Sequence, residues 1–150
     1  MNLDAIQRYA VERINADPML SEAGCRAVVE DKGDAFAEVN AAVAEGLCAI
    51  VLLPKWTPDT TAAKSAVGRL DLVVNLTEIP QVNRERANAM HGLAAAQRIA
   101  WLLNQEKADP ADPACGVLAV AAPGIVPAVQ EDGNGVIYSI NFVQLYQLKG

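Results

Sequence analysis

Apolar and polar residues alternate most regularly in the C-terminal stretch from Val136 to Gly150. Val136, Tyr138, Ile140, Phe142, Tyr146 and Leu148 fall on one face, while Ser139, Asn141 and Gln147 sit on the other. A period of two sends successive side chains to opposite faces of a pleated sheet, so this stretch predicts one long strand. Gly133-Asn134-Gly135 supplies the permissive backbone of a tight turn just upstream, and an apolar run precedes it. A terminal β-hairpin follows from that arrangement. The same alternation marks Leu70 to Ile79, with Leu70, Leu72, Val74 and Leu76 set against Asp71, Val73, Asn75 and Thr77. It predicts a half-buried strand, closed by Pro80. Leu47 to Leu53 is apolar throughout, which suits a strand buried on both faces and ended by Pro54. Shorter strands are expected at Cys25 to Glu30 and at Gly116 to Val126, the latter interrupted by Pro123-Gly124.

Helical spacing appears in three places. Leu3, Ile6, Val11 and Ile14 form an apolar stripe over residues 3–16, which Asp17-Pro18 stops because the residue before proline disfavours the α region. A second helix is expected from Asp34, a good N-cap, to Glu45, with Phe36, Val39 and Val43 facing the core and Gly46 at the stop. A third is expected from Asn88 to Asn104. Its face of Gly92, Ala95, Ala96, Ile99, Leu102 and Leu103 has small residues at one end, where the helix can approach a sheet closely. Between these elements, Lys55 to Gly68 and Gln81 to Ala87 are polar links. Glu106 to Ala114, with two Asp-Pro steps, is the loop most prone to disorder.

This order predicts an α+β fold in a single domain over residues 1–150: a mixed, mainly antiparallel sheet with helices packed on one face and a long C-terminal β-hairpin. A doubly wound parallel sheet fits less well, since residues 54–69 and the hairpin supply no crossover helices.

Composition narrows the function classes. At 150 residues, 52% hydrophobic and 20% charged, the chain is globular and long enough to bury a sizeable core. Its net charge of −6 disfavours gripping a phosphate backbone, which needs Lys and Arg to displace counterions. The three cysteines, Cys25, Cys48 and Cys115, lie far apart without a C-x-x-C pair, so reduced thiols are expected in place of a metal site. Cys48, inside an apolar run, should be buried. The N-terminus lacks a basic-then-apolar signal pattern, and no apolar run approaches the roughly 20 residues of a membrane span, so a soluble protein made in the cytoplasm is expected.

Catalytic chemistry finds little footing. His91 is the one histidine, with no pairing of the triad kind, and Ser21, Ser65 and Ser139 lack a nucleophile-elbow context. No glycine-rich phosphate loop is present; Gly133-Asn134-Gly135 precedes a strand and not a helix. Glu30, Asp31 and Asp34 surround a turn without the regular oxygen spacing of a calcium loop. The expectation is therefore no enzyme, no metal and no cofactor. Interaction residues are easier to name. Lys55 and Trp56 open the 55–68 segment, where Trp56 either anchors an interface or folds back onto its own core. Arg84 and Arg86 in the 81–87 link are candidates for pairing across a subunit contact. The terminal strand, if it lies at a sheet edge, offers unpaired backbone groups to another subunit.

The opening helix Leu3 to Ala16, the run Val28-Val29-Glu30-Asp31-Lys32-Gly33-Asp34, and Gly46-Leu47-Cys48-Ala49-Ile50-Val51-Leu52-Leu53-Pro54 form a consistent series. Leu72 to Arg84, the alanine-rich third helix and Tyr138-Ser139-Ile140-Asn141-Phe142 complete it. In order of elements and texture, over nearly the whole chain, this series resembles the small tail-terminator and tail-completion proteins of long-tailed bacteriophages and prophages. The resemblance implies an α+β subunit that closes a ring, usually a hexamer, at the head-proximal end of the tail tube. Its implied partners are copies of itself, the tail tube protein and a head–tail connector protein, with DNA passing through and no membrane contact. Its implied location is the virion tail, after assembly in the host bacterial cytoplasm. No catalytic residue, cofactor or metal comes with the family. Other readings are a different head–tail connector or minor tail subunit, or a small cytosolic ligand-binding or enzyme α/β domain. A buried strand ending at Pro54 before a polar loop is where such α/β folds place ligands.

Overall fold

The computed structural model describes residues 3–30, 46–59, 67–85, 89–108, 110–112, 115–130 and 135–147. The helix expected over Asp34 to Glu45 lies outside these residues. The first helix, α1, spans Leu3–Asn15 and buries Ile6, Ala10 and Ile14 along its stripe, together with Gln7. Asp17-Pro18 ends it as expected but also starts α2, Pro18–Glu22. Pro18 occupies the first helical turn, where its missing N–H costs nothing, and the Asp17 carboxylate accepts from the Leu20 amide at 3.2 Å. Sequence reasoning took this proline only as a stop.

Strands β1 (Arg26–Val29) and β2 (Leu47–Val51) run parallel, with Ala27 beside Ala49 and Val29 beside Val51. Strand β4 (Val67–Glu78) pairs antiparallel with β2, and along all twelve of its residues with β6 (Val136–Gln147). Strand β5 (Ala119–Val129) pairs antiparallel with β6 and completes the hairpin. Lys55–Pro58 forms a further strand, β3, which pairs with Gly68 to Asp71 of β4 on the edge that β2 uses farther along. Among the described residues the sheet thus has six strands in the order β1-β2-β4-β6-β5, with β3 beside β4. The fold is α+β, and the sheet is mixed and mainly antiparallel.

The alternation expected in β4 and β6 sets the core. Leu70, Leu72, Val74 and Leu76 are buried on one face, with Phe142 opposite Leu72 and Ile140 opposite Val74. Leu47, Ala49 and Val51 extend that face across β2. Helix α1 covers it at one side. Helix α4 (Gly92–Leu103) covers it at the other with Ala95, Ala96, Ile99, Leu102 and Leu103. A Cβ at Gly92 would stand 2.5 Å from Tyr138 Cε2, so the missing side chain lets this helix end approach the sheet. A smaller cluster of Val28 and Cys48, with Ile50 against it, forms a second buried set.

Three expectations change. The 55–68 segment is not wholly loop, because Lys55–Pro58 is a strand and Val67–Gly68 begins β4. The terminal strand is not at a sheet edge: β6 is flanked by β4 and β5, which leaves β5 outermost. The 106–114 loop is tied down in part. Glu106 bridges to Leu118, the Tyr9 hydroxyl donates to the Glu106 carboxylate at 3.4 Å, and Asp112 is buried. Pro123-Gly124 falls in an irregularity between Val120 and Ile125, where β5 slips register against β6.

Candidate assembly surfaces

The expected interface residues do not form one patch. Trp56 lies opposite Leu70 and is half-buried against the main core. Its ring fits because Gly68 has no side chain; a Cβ there would come within 2.6 Å of Trp56 Cε2. Trp56 therefore packs in part onto its own domain and stays partly accessible. Lys55, beside it, is exposed opposite Asp71. Arg84 is exposed and caps a short helix, α3 (Pro80–Asn83), that follows β4. The run from Leu70 to Glu78 spans about 26 Å at the rise of an extended strand, so Trp56 and Arg84 sit near opposite ends of β4. Arg86 lies outside the described residues.

Near Arg84 a polar knot joins β4, α3 and α4. Glu78, 6% exposed, accepts through Oε2 from the Asn83 side-chain amide at 2.9 Å and from the Gly92 backbone amide at 2.8 Å. A carboxylate there satisfies an orphan donor at the first turn of α4 and faces the positive end of its dipole. Asn83 also donates to the Met90 carbonyl at 2.7 Å. Burial, and then the Glu78 charge, pushes the Tyr138 phenol above its usual range. Pro80, Asn83, Arg84, Met90 and His91 line a cleft of about 280 Å³ around this knot. The knot joins elements and presents no nucleophile–base pair. Among the described residues, no group of three His, Cys, Asp or Glu side chains is placed to hold a metal ion, and no helix is long and apolar enough to cross a membrane.

The more exposed apolar surface lies elsewhere, and sequence reasoning passed over it. Trp101 stands on the outward side of α4, 68% exposed, with the Arg98 guanidinium 4.7 Å from its ring centroid. Arg98 is itself held by Asp17 through bonds of 2.7 and 3.1 Å. The Arg98 pairing, more than any other influence, pulls the Asp17 carboxyl below its ordinary range. A tryptophan clamped on one face by a fixed cation is rigid before any partner arrives, which lowers the ordering cost of binding. Its sequence signal was its position: Trp101 is a large aromatic outside the buried stripe, three residues after an arginine. The neighbouring β5 exposes Val120, Val126 and Val129, at 38%, 40% and 72%.

With that geometry in view, comparison with known proteins adds a likeness of fold. No family model matches the chain, and no curated protein sequence matches it. Among solved structures, the chain is similar in fold to one described as "Virion of native gene transfer agent (GTA) particle". The TM-score is 0.60 at 13% sequence identity, and the alignment covers 97% of this chain and 96% of that one. At that identity the likeness is one of fold.

Proposed function

We propose that this chain is a structural subunit of a phage-type virion, and specifically a tail terminator. In this reading it closes as a ring on the head-proximal end of the tail tube, stops tube growth and presents the surface that joins tail to head. The observation that carries the reading is the end-to-end fold likeness to a chain of a gene transfer agent virion, with almost no residue unmatched on either side. The order of elements that resembles tail terminators points the same way. The mechanism is geometric, not catalytic: each subunit docks on one tube subunit, and identical side-to-side contacts close on themselves instead of propagating. A chain of net charge −6 suits a passage that DNA crosses without adhering. The expected partners are further copies of the chain, a tail tube protein and a connector protein, all within the tail.

The test is negative-stain electron microscopy with native mass measurement, on the protein alone and after mixing with tail tubes from the same source. Closed rings, free or seated on tube ends, with tubes held at fixed length, are the expected result. Tubes that elongate unchanged with no protein on their tips would overturn the terminator role.

A further inference from the structure

We infer that the flank formed by β5 and the outer side of α4 is the surface on which a second copy of this chain docks. Among the described residues, ten large apolar side chains are exposed. Six of them, Leu93, Trp101, Val117, Val120, Val126 and Val129, lie on α4, on β5 or on the segment leading into β5. Val126 pairs with Ser139 and so points to the sheet face away from α4, while Val120 and Val129, opposite Phe142 and Val136, share the α4 side, where the two elements form one surface. Asn104, at the C-terminal end of α4, accepts from the Val120 amide at 3.0 Å, and Gly92 at the other end approaches Tyr138, which pairs with Pro127. Trp101 therefore lies near the level of Val120, and Leu93 near that of Pro127 and Val129.

Charge argues for a like partner. Residues 89–104 and 115–130 carry one formal charge among 32 residues, Arg98, in a chain with 12 basic and 18 acidic residues. That charge is already paired with Asp17. Two copies at −6 repel wherever their acidic surfaces meet, and this flank is where they approach without bringing like charges together. Size sets the strength of that contact. With residues 121–124 bulged out of the pairing, β5 runs alongside Val136 to Val143 and extends about 24 Å, and helix plus edge strand give a width of about 20 Å. The resulting area of about 480 Å² per subunit lies below the roughly 800 Å² per partner of a standard interface and matches a weak contact between copies.

The contact is made by side chains and not by strand addition. The Gln130 amide points across to Gly135, so alternation turns the backbone nitrogens of residues 127 and 129 outward. Residue 127 is proline and has no N–H, while the Val120 amide is taken by Asn104. The outer edge is thus poor in donors, yet its side chains are apolar and bare. Trp101, held by Arg98, is the anchor of the kind that dominates interface energies.

This inference deepens the proposed ring, and the two can fail separately. Trp101→Glu and Val129→Glu replace exposed residues, so circular dichroism and thermal unfolding should match the unmodified protein. Sedimentation equilibrium up to hundreds of micromolar should show self-association of the unmodified chain, weakened at least about tenfold by either change. An unmodified chain that stays monomeric over that range, or association indifferent to both substitutions, overturns the inference. Rings that persist in both variants would remove this surface and leave the terminator reading standing. Flank-dependent association without rings, on tubes or off them, would do the reverse.

Discussion

Asn15 performs a task seldom given to a side chain: it acts as the missing neighbour of an edge strand. Its Nδ2 donates to the Ala27 carbonyl at 3.0 Å, and its Oδ1 accepts from the Ala27 amide at 2.8 Å. Both outward backbone groups of Ala27, the second residue of β1, are thereby satisfied by the end of α1. Asn15→Ala removes two hydrogen bonds. Asn15 is exposed, so water can reach the vacated groups, and the cost is the net worth of two such bonds and not the full penalty of two buried orphans. The expected loss is about 1–2 kcal/mol, or a fall in Tm of about 3–7 °C for a domain of this size. Urea unfolding reads the loss, and amide exchange at Ala27 should accelerate well beyond that of core amides in β4. Asn15→Asp is the sharper probe. It keeps an acceptor for the Ala27 amide but sets a carboxylate oxygen against the Ala27 carbonyl, so at neutral pH it should be at least as damaging as alanine. Protonation restores a donor. The folded-state pKa of the new carboxyl is therefore raised above its unfolded value near 4, and the deficit should shrink as pH falls through that raised value. Unchanged Ala27 exchange, or an Asp variant indifferent to pH, would refute this account.

Two further outcomes follow from groups already described. Arg98→Ala leaves the nearly buried Asp17 carboxylate with only the Leu20 amide, so Tm at pH 7 should drop by several degrees. Asp17 has a lowered folded pKa, so its stabilisation is present above the unfolded value and lost as pH falls through the folded one; the gap between variant and parent should narrow in acid. Burial pushes the Cys25 thiol up to about 12 and the Cys48 thiol up to about 11, so both should resist a thiol reagent at neutral pH until the chain unfolds. The unfolded chain releases these protons at lower pH than the folded one. Stability should therefore decline as pH rises above the ordinary thiol range, more steeply than in a Cys25→Ala variant.

Much of the fold was legible where one periodicity governs. The alternation in Leu70 to Ile79 and from Val136 onward fixed which residues meet in the core, because a slip of one position would expose all of them. The apolar run at Leu47 gave a strand buried at nearly every position. What escaped depends on contacts between distant residues. Lys55–Pro58 has no strand pattern of its own, and it forms β3 because Gly68, a dozen residues on, leaves room for the Trp56 ring. Pro18 and Pro80 were taken as terminators, yet each opens a short helix, since proline is tolerated in a first turn as readily as it breaks a later one. Glu78 looked like one more strand residue; its role as acceptor for the Gly92 amide exists only once β4 and α4 meet. The assembly surface was hidden for a different reason. Trp56 and the arginines drew attention by residue type, while the flank around Trp101 is marked by an absence of charge over two separate segments.

The two long sides of the sheet are treated in opposite ways, and that asymmetry bears on how copies associate. At β1 the chain supplies its own cap through Asn15, and α1 packs alongside. At β5 no described strand pairs with the outer edge; its donors are reduced by proline and by Asn104, while its apolar side chains are left bare. An edge silenced in its backbone but not in its side chains resists open-ended strand addition while keeping a sticky face. A contact of about 480 Å² with one aromatic anchor is modest in isolation, because each free association must overcome lost translational and rotational freedom. In a closed ring the flank of each subunit meets a different surface of the next copy, so every subunit takes part in two contacts, and the last forms between subunits already held in place, at high effective concentration. Subunits seated side by side on a tube end gain the same advantage from the first contact onward. For the proposed ring the expected order of strengths is therefore weak, concentration-dependent association in free solution, and much tighter association wherever a template arrays the subunits.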